Sequence, residues 1–112
     1  MEEEVRRLVA FTVERFGRLD CMINNAGSSA PVTSIAELDM AGFDRVLSVN
    51  IRGVVLGMKH AAAAMLPQGT GSIASIAASH GGFTGHAYTA SKAAVLGVTR
   101  SAATELGERV FA

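Results

Sequence analysis

Tyr88 and Lys92, in Tyr88-Thr89-Ala90-Ser91-Lys92, stand four residues apart. On a helix that spacing puts both side chains on one face. A phenol gives up its proton only at about pH 10 unless something stabilises the phenolate, and an ammonium one turn away does so. The pair is therefore a tunable acid/base, able to pass a proton to or from a hydroxyl or carbonyl oxygen. Taken alone, Tyr-x-x-x-Lys is also what any helix surface carries by chance.

Three further positions have the chemistry to join such a site. Ser75 precedes Tyr88 by thirteen positions and closes an expected strand. Its hydroxyl either bonds the substrate oxygen that Tyr88 protonates or merely ends the strand. Asn50 falls on the apolar face formed by Phe43, Val46, Leu47 and Val54. A buried amide must find partners. It is either satisfied locally or anchors a polar chain leading to a site. Asn24-Asn25-Ala26-Gly27 follows a short apolar run. In an open α/β sheet, ligands bind beyond the carboxyl ends of strands. Asparagine amides there can tie strands together, and Ala26 and Gly27 let a ligand approach the backbone. An ordinary Asn-Gly-type turn is the other reading.

The elements that must position these residues follow from periodicity. Val5, Leu8, Val9, Val13 and Phe16 recur at helical spacing from Glu2 to Phe16, with acidic residues in the first turn and Gly17 as the stop. Leu19 to Ile23 has the length of a buried parallel strand. A polar loop follows over 28–38. A long helix is expected from Asp39, a fair N-cap, to Met65, with Pro67 as its stop. Its second side, Val49, Gly53, Leu56 and His60, is also mostly apolar, so it is packed on more than one side. Gly71 to Ser75 reads as a second strand, followed by a Gly/Ser/Ala-rich loop and a helix from His86 through Leu106. Helix, strand, helix, strand, helix argues for parallel βα units in a layered α/β fold.

Composition sets the class. At 49% hydrophobic and 18% charged, the 112 residues suit one small globular domain rather than a disordered segment. Ten basic residues offset ten acidic ones, so no long-range field draws the chain to nucleic acid or an anionic membrane. A single cysteine, Cys21, makes no internal disulfide, and His60, His80 and His86 lack ligand partners at metal spacing. No apolar run reaches membrane-spanning length, and the MEEEVRR opening has no apolar region behind it, so no signal peptide is expected. A cytoplasmic location is the expectation.

Together these motifs resemble the short-chain dehydrogenase/reductase family. Gly17-Arg18-Leu19-Asp20 leading into Ile23-Asn24-Asn25-Ala26-Gly27 is similar to that family's fourth strand and its NNAG motif. Val49-Asn50 is similar to its helix asparagine, and Ser75, Tyr88 and Lys92 match its Ser, Tyr-x-x-x-Lys spacing. The resemblance implies a partial Rossmann-type doubly wound parallel sheet and hydride transfer between NAD or NADP and a small-molecule alcohol or ketone. By the same resemblance, Tyr88 would be the acid/base. Lys92 would lower its pKa and hold the nicotinamide ribose, and Ser75 would position the substrate oxygen. Asn50 would hold a water in a proton relay to Lys92. Asn24, Ala26, Gly27, Tyr88 and Lys92 would border the cofactor. Family members would pair through the helices at 39–65 and 86–107. The last helix carries a face of small residues for this, Ala90, Ala94, Gly97, Val98 and Ser101, although packing inside one domain explains that face equally.

The sequence also departs from the family. The glycine-rich pyrophosphate turn and the C-terminal substrate region have no counterpart, so residues 1–112 are expected to form one partial domain, inactive alone. The stretch from Gly71 to Tyr88 is about three residues short of the family spacing. If the gap lies in the strand, Ser75 keeps its place and Thr70 and Gly71 are drawn into the strand. If it lies in the loop, Ala78 replaces the serine. A rival reading is a non-catalytic module that dimerises through its two long helices.

Overall fold

The first helix forms where expected, and for the expected reasons. In the computed structural model, which describes residues 1–25, 27, 28, 30–75 and 85–110, α1 spans Glu2–Phe16. Glu2, Glu3 and Glu4 occupy its first turn, where their charge complements the helix dipole. Gly17 closes it in the left-handed conformation, φ 86°, donating its N–H to Val13 O at 2.7 Å. The buried face is narrower than the periodicity predicts. Val9 is buried and Val5 and Val13 partly so, whereas Leu8 and Phe16 face solvent at 59% and 72% exposure. The main helix contact of α1 is with α3 (Gly53–Gln68), and one packed partner covers only one stripe.

Strand β1 is Cys21–Asn24, two residues later than the start predicted from Leu19. The displacement has a cause in Gln68. Its side-chain oxygen accepts the Leu19 N–H at 3.0 Å and its amide donates to Leu19 O at 2.8 Å. The Leu19 backbone groups are thus taken by a side chain instead of a strand. Strand β2, Ser72–Ser75, pairs parallel with β1, Cys21 opposite Ser72 through Asn24 opposite Ser75. Thr70 and Gly71 stay outside it. Gly71 is pressed against α3, where an added Cβ would lie 2.4 Å from Met65 Sδ.

The long helix exists but is not continuous. A short 3-10 turn, Ile35–Glu37, leads to α2, Met40–Leu47, and Asp39 caps it by accepting from the N–H groups of Ala41 and Gly42. Ser48–Arg52 then forms a π-helical turn, in which the Gly53 N–H reaches back five residues to Ser48 O, before α3 begins. Pro67 lies inside α3 rather than ending it. The stop is Gly69 at φ 78°, whose N–H bonds Leu66 O and Met65 O. Helix α4 spans His86–Leu106.

One core joins these pieces. Val9 of α1, Val54, Met58, Ala61 and Met65 of α3, Ile73 of β2, and Val95 and Leu106 of α4 form a single buried cluster. The expectation that the long helix packs on more than one side holds, since α3 contacts α1, β1 and β2. The result is an α/β arrangement in which the residues following β1 run to Asn50 and α4.

Candidate active site

The π-helical turn brings Asn50 inward. Asn50 is fully buried, and its amide is satisfied by two chain segments distant in sequence. Nδ2 donates to Ser28 O at 2.8 Å and to Ser91 Oγ at 3.0 Å, while Oδ1 accepts from the Ser28 N–H at 2.6 Å. Of the two readings open from sequence, local satisfaction is not what is found: the partners lie 22 and 41 residues away, and they form a polar chain running onward from Asn50. The chain leads to α4, where Ser91 Oγ donates to Tyr88 O at 2.8 Å.

Lys92 lies on the same turn of α4 and is only 4% exposed. Its Nζ stands 5.5 Å from the centroid of the Tyr88 ring, within cation–π range. A Cβ placed on Gly27 would lie 3.6 Å from Lys92 Nζ and 3.7 Å from Asn50 Oδ1. Gly27, Asn50 and Lys92 therefore meet at one point beyond the carboxyl end of β1. Tyr88 is half-buried and lines a cleft of about 140 Å³ with Ala30, Pro31, Leu38, Phe43 and His86.

The other predicted residues fall elsewhere. Ser75 faces Asn24 across the strand pair, and its hydroxyl accepts from Asn24 Nδ2 at 3.3 Å. It is not part of the cleft that Tyr88 lines. The shortened stretch before Tyr88 is not absorbed by recruiting Thr70 and Gly71, because β2 begins at Ser72. Ala78, the alternative position, and Ala26 lie outside the described residues. Asn24 packs tightly over α3, since a Cβ on Gly57 would come within 2.1 Å of its Oδ1. Sequence reasoning missed Ser28 and Ser91. Ser91 had a signal, being three positions after Tyr88 and four before the core residue Val95 on one helix face. Ser28 had none, because it offers only its backbone.

A family model described as short chain dehydrogenase matches residues 1–111. The chain belongs to the short-chain dehydrogenase family. Among curated relatives, (+)-borneol dehydrogenase 2 of Salvia officinalis is 51% identical over 112 aligned residues, covering 96% of this chain and 40% of that protein. Secoisolariciresinol dehydrogenase of Forsythia intermedia is 48% identical over 111 residues, again covering 96% of this chain and 40% of the relative. The solved structure of levodione reductase superposes with a TM-score of 0.93 at 36% identity, covering 98% of this chain and 44% of that one. That match makes the fold a Rossmann-type α/β arrangement. The chain spans well under half the length of the relatives it matches. Within the described residues, no helix is long and apolar enough to cross a membrane.

Proposed function

We propose that the site serves NAD(P)-dependent hydride transfer between a nicotinamide and a small-molecule alcohol or ketone, with Tyr88 as the acid/base. The observation that carries this reading is Lys92, a nearly buried ammonium held over the ring of the tyrosine that lines the cleft. A positive charge there stabilises negative charge developing on the phenolic oxygen. In the oxidative direction Tyr88 takes the proton from the substrate hydroxyl, and in the reductive direction it returns one to the carbonyl oxygen. Lys92 also holds the nicotinamide ribose; Ser75, which lies outside that cleft and accepts from Asn24, is assigned the substrate oxygen on family resemblance alone, through the hydrogen its hydroxyl still has to donate.

The chain's own residues fit the cofactor. Gly27 is exposed, sits at the strand's carboxyl end and lies beside Lys92 Nζ. Asn24, Ala26 and Gly27 border the cofactor in this reading. When bound, the nicotinamide accepts or supplies the hydride. Both Nδ2 hydrogens of Asn50 are committed to Ser28 and Ser91, which leaves one lone pair of Oδ1 for a relay water. Whether NAD or NADP is used is part of the test.

The test is a titration of the purified chain with NADH and NADPH, following nicotinamide fluorescence and melting temperature together. A saturable signal with a raised melting point, lost in Tyr88→Phe and Lys92→Met, is expected. A folded chain that responds to neither cofactor refutes the assignment. One observation favours a second reading. Ala90, Ala94, Gly97 and Ser101 face solvent on α4 and are open to a partner helix, whereas Val98, the fifth residue of that face, packs partly against the core of this domain. That reading predicts concentration-dependent dimerisation indifferent to Tyr88→Phe.

A further inference from the structure

We infer that Ser91 is a positioning residue of this site, fixing the height of the Gly27–Ser28 backbone over Lys92. A serine hydroxyl has one hydrogen to give and two lone pairs. Ser91 gives its hydrogen to Tyr88 O, the ordinary back-bond of a helical serine. That bond fixes the hydroxyl and aims a lone pair at Asn50 Nδ2, 3.0 Å away. Asn50, so held, grips both the N–H and the C=O of Ser28. The path Tyr88 carbonyl, Ser91, Asn50, Ser28 thereby ties the helix carrying Tyr88 and Lys92 to the residue after Gly27. Both side chains on that path are fully buried, so water does not replace a lost bond without the structure opening.

Alanine at 91 leaves one Asn50 N–H without a partner. The amide must then tilt toward another acceptor or admit water, and either releases Ser28. Threonine keeps both hydrogen-bonding functions. The link to cofactor rests on the function proposed above, whereas the link to Ser28 does not.

The experiment compares the full chain with Ser91→Ala and Ser91→Thr under conditions where far-UV circular dichroism shows intact helices. Three readouts are taken: hydrogen exchange at the Ser28 amide, the near-UV band of Tyr88, and the NADH dissociation constant. Tyr88 is the single tyrosine and the chain has no tryptophan, so its band is read alone. In Ser91→Ala, Ser28 exchanges about tenfold faster, the Tyr88 band changes and NADH binds several-fold more weakly. Exchange within α1 is unaltered, and Ser91→Thr restores all three. Unchanged Ser28 exchange in Ser91→Ala overturns the inference. If that variant does not fold, Ser91→Cys, a poorer acceptor, must speed Ser28 exchange, and wild-type protection there overturns it equally. If the wild-type chain binds no NADH, the proposed function fails while Ser28 and Tyr88 still judge Ser91.

Discussion

Replacing Gly57 by alanine is a sharp trial of how Asn24 is seated. In an isolated helix the change is favourable, because alanine exceeds glycine in helix propensity by about 1 kcal/mol. Here the new Cβ would lie 2.1 Å from Asn24 Oδ1, 3.1 Å from its Cγ and 3.4 Å from its Nδ2. The first contact is impossible, so Asn24 must leave or α3 must shift. Leaving breaks the hydrogen bond to Ser75 Oγ, worth about 0.5–1.5 kcal/mol, and overpacking a tight site costs about 1–3 kcal/mol. These outweigh the propensity gain, so Gly57→Ala should destabilise the chain by about 1–2 kcal/mol, lowering the melting temperature by roughly 5–10 °C. In an Asn24→Ala background the obstruction is gone and only the propensity remains. There the same substitution should stabilise by up to about 1 kcal/mol, giving a coupling of about 2 kcal/mol in the double-mutant cycle. The assay is urea and thermal unfolding of all four chains by circular dichroism. Stabilisation by Gly57→Ala in the wild-type background, or an equal effect in both backgrounds, refutes the seating of Asn24 against α3.

Asn50→Ala should cost about 1–3 kcal/mol, because it removes both bonds to the half-buried Ser28 backbone and leaves the buried Ser91 hydroxyl without its donor, and urea unfolding measures it. Gln68→Ala removes the two bonds to the Leu19 backbone; a loss of about 1–3 kcal/mol is expected, with hydrogen exchange quickening at Leu19. The Glu2 carboxyl is held below its ordinary value of 4.5 by the hydrogen bond from Lys59 and next by that with His60. A depressed carboxyl contributes fully above its unfolded value, and that contribution disappears as pH falls through the lower folded value. Docking of α1 on α3 should therefore weaken only below pH 4.5. The acid limb should be smaller in Glu2→Gln, where Glu3 still titrates, and reduced by salt, as read by exchange in α1 against pH.

The limits of α1 and the start of α2 were legible in the sequence because local chemistry sets them. Gly17 adopts a backbone conformation that other residues resist, and Asp39 supplies the oxygen that the first free N–H groups of α2 require. The end of α3 was less legible, since Pro67 looks like the stop while Gly69 provides it. The placing of Tyr88 and Lys92 on one face was legible for the same local reason, a four-residue spacing on a helix. The family was legible from motif order.

What the sequence could not decide depends on which distant groups meet. The π-helical turn at Ser48–Arg52 carries no compositional mark, and the side chain it places inward, Asn50, is held by Ser28 and Ser91, 22 and 41 residues away. The displaced start of β1 follows from Gln68, 49 residues on, taking the Leu19 backbone groups. Ser75 could be placed by counting back from Tyr88, but its partner Asn24 follows from strand register, which only the paired sheet sets. By itself the sequence determined where helices form, the caps at Gly17 and Asp39, and the sharing of one helix face by Tyr88 and Lys92, because those depend on neighbours within a turn or two. The tertiary structure decided the register, the π-helical turn and the Asn50 network, because each depends on hydrogen-bond partners that only folding brings within reach.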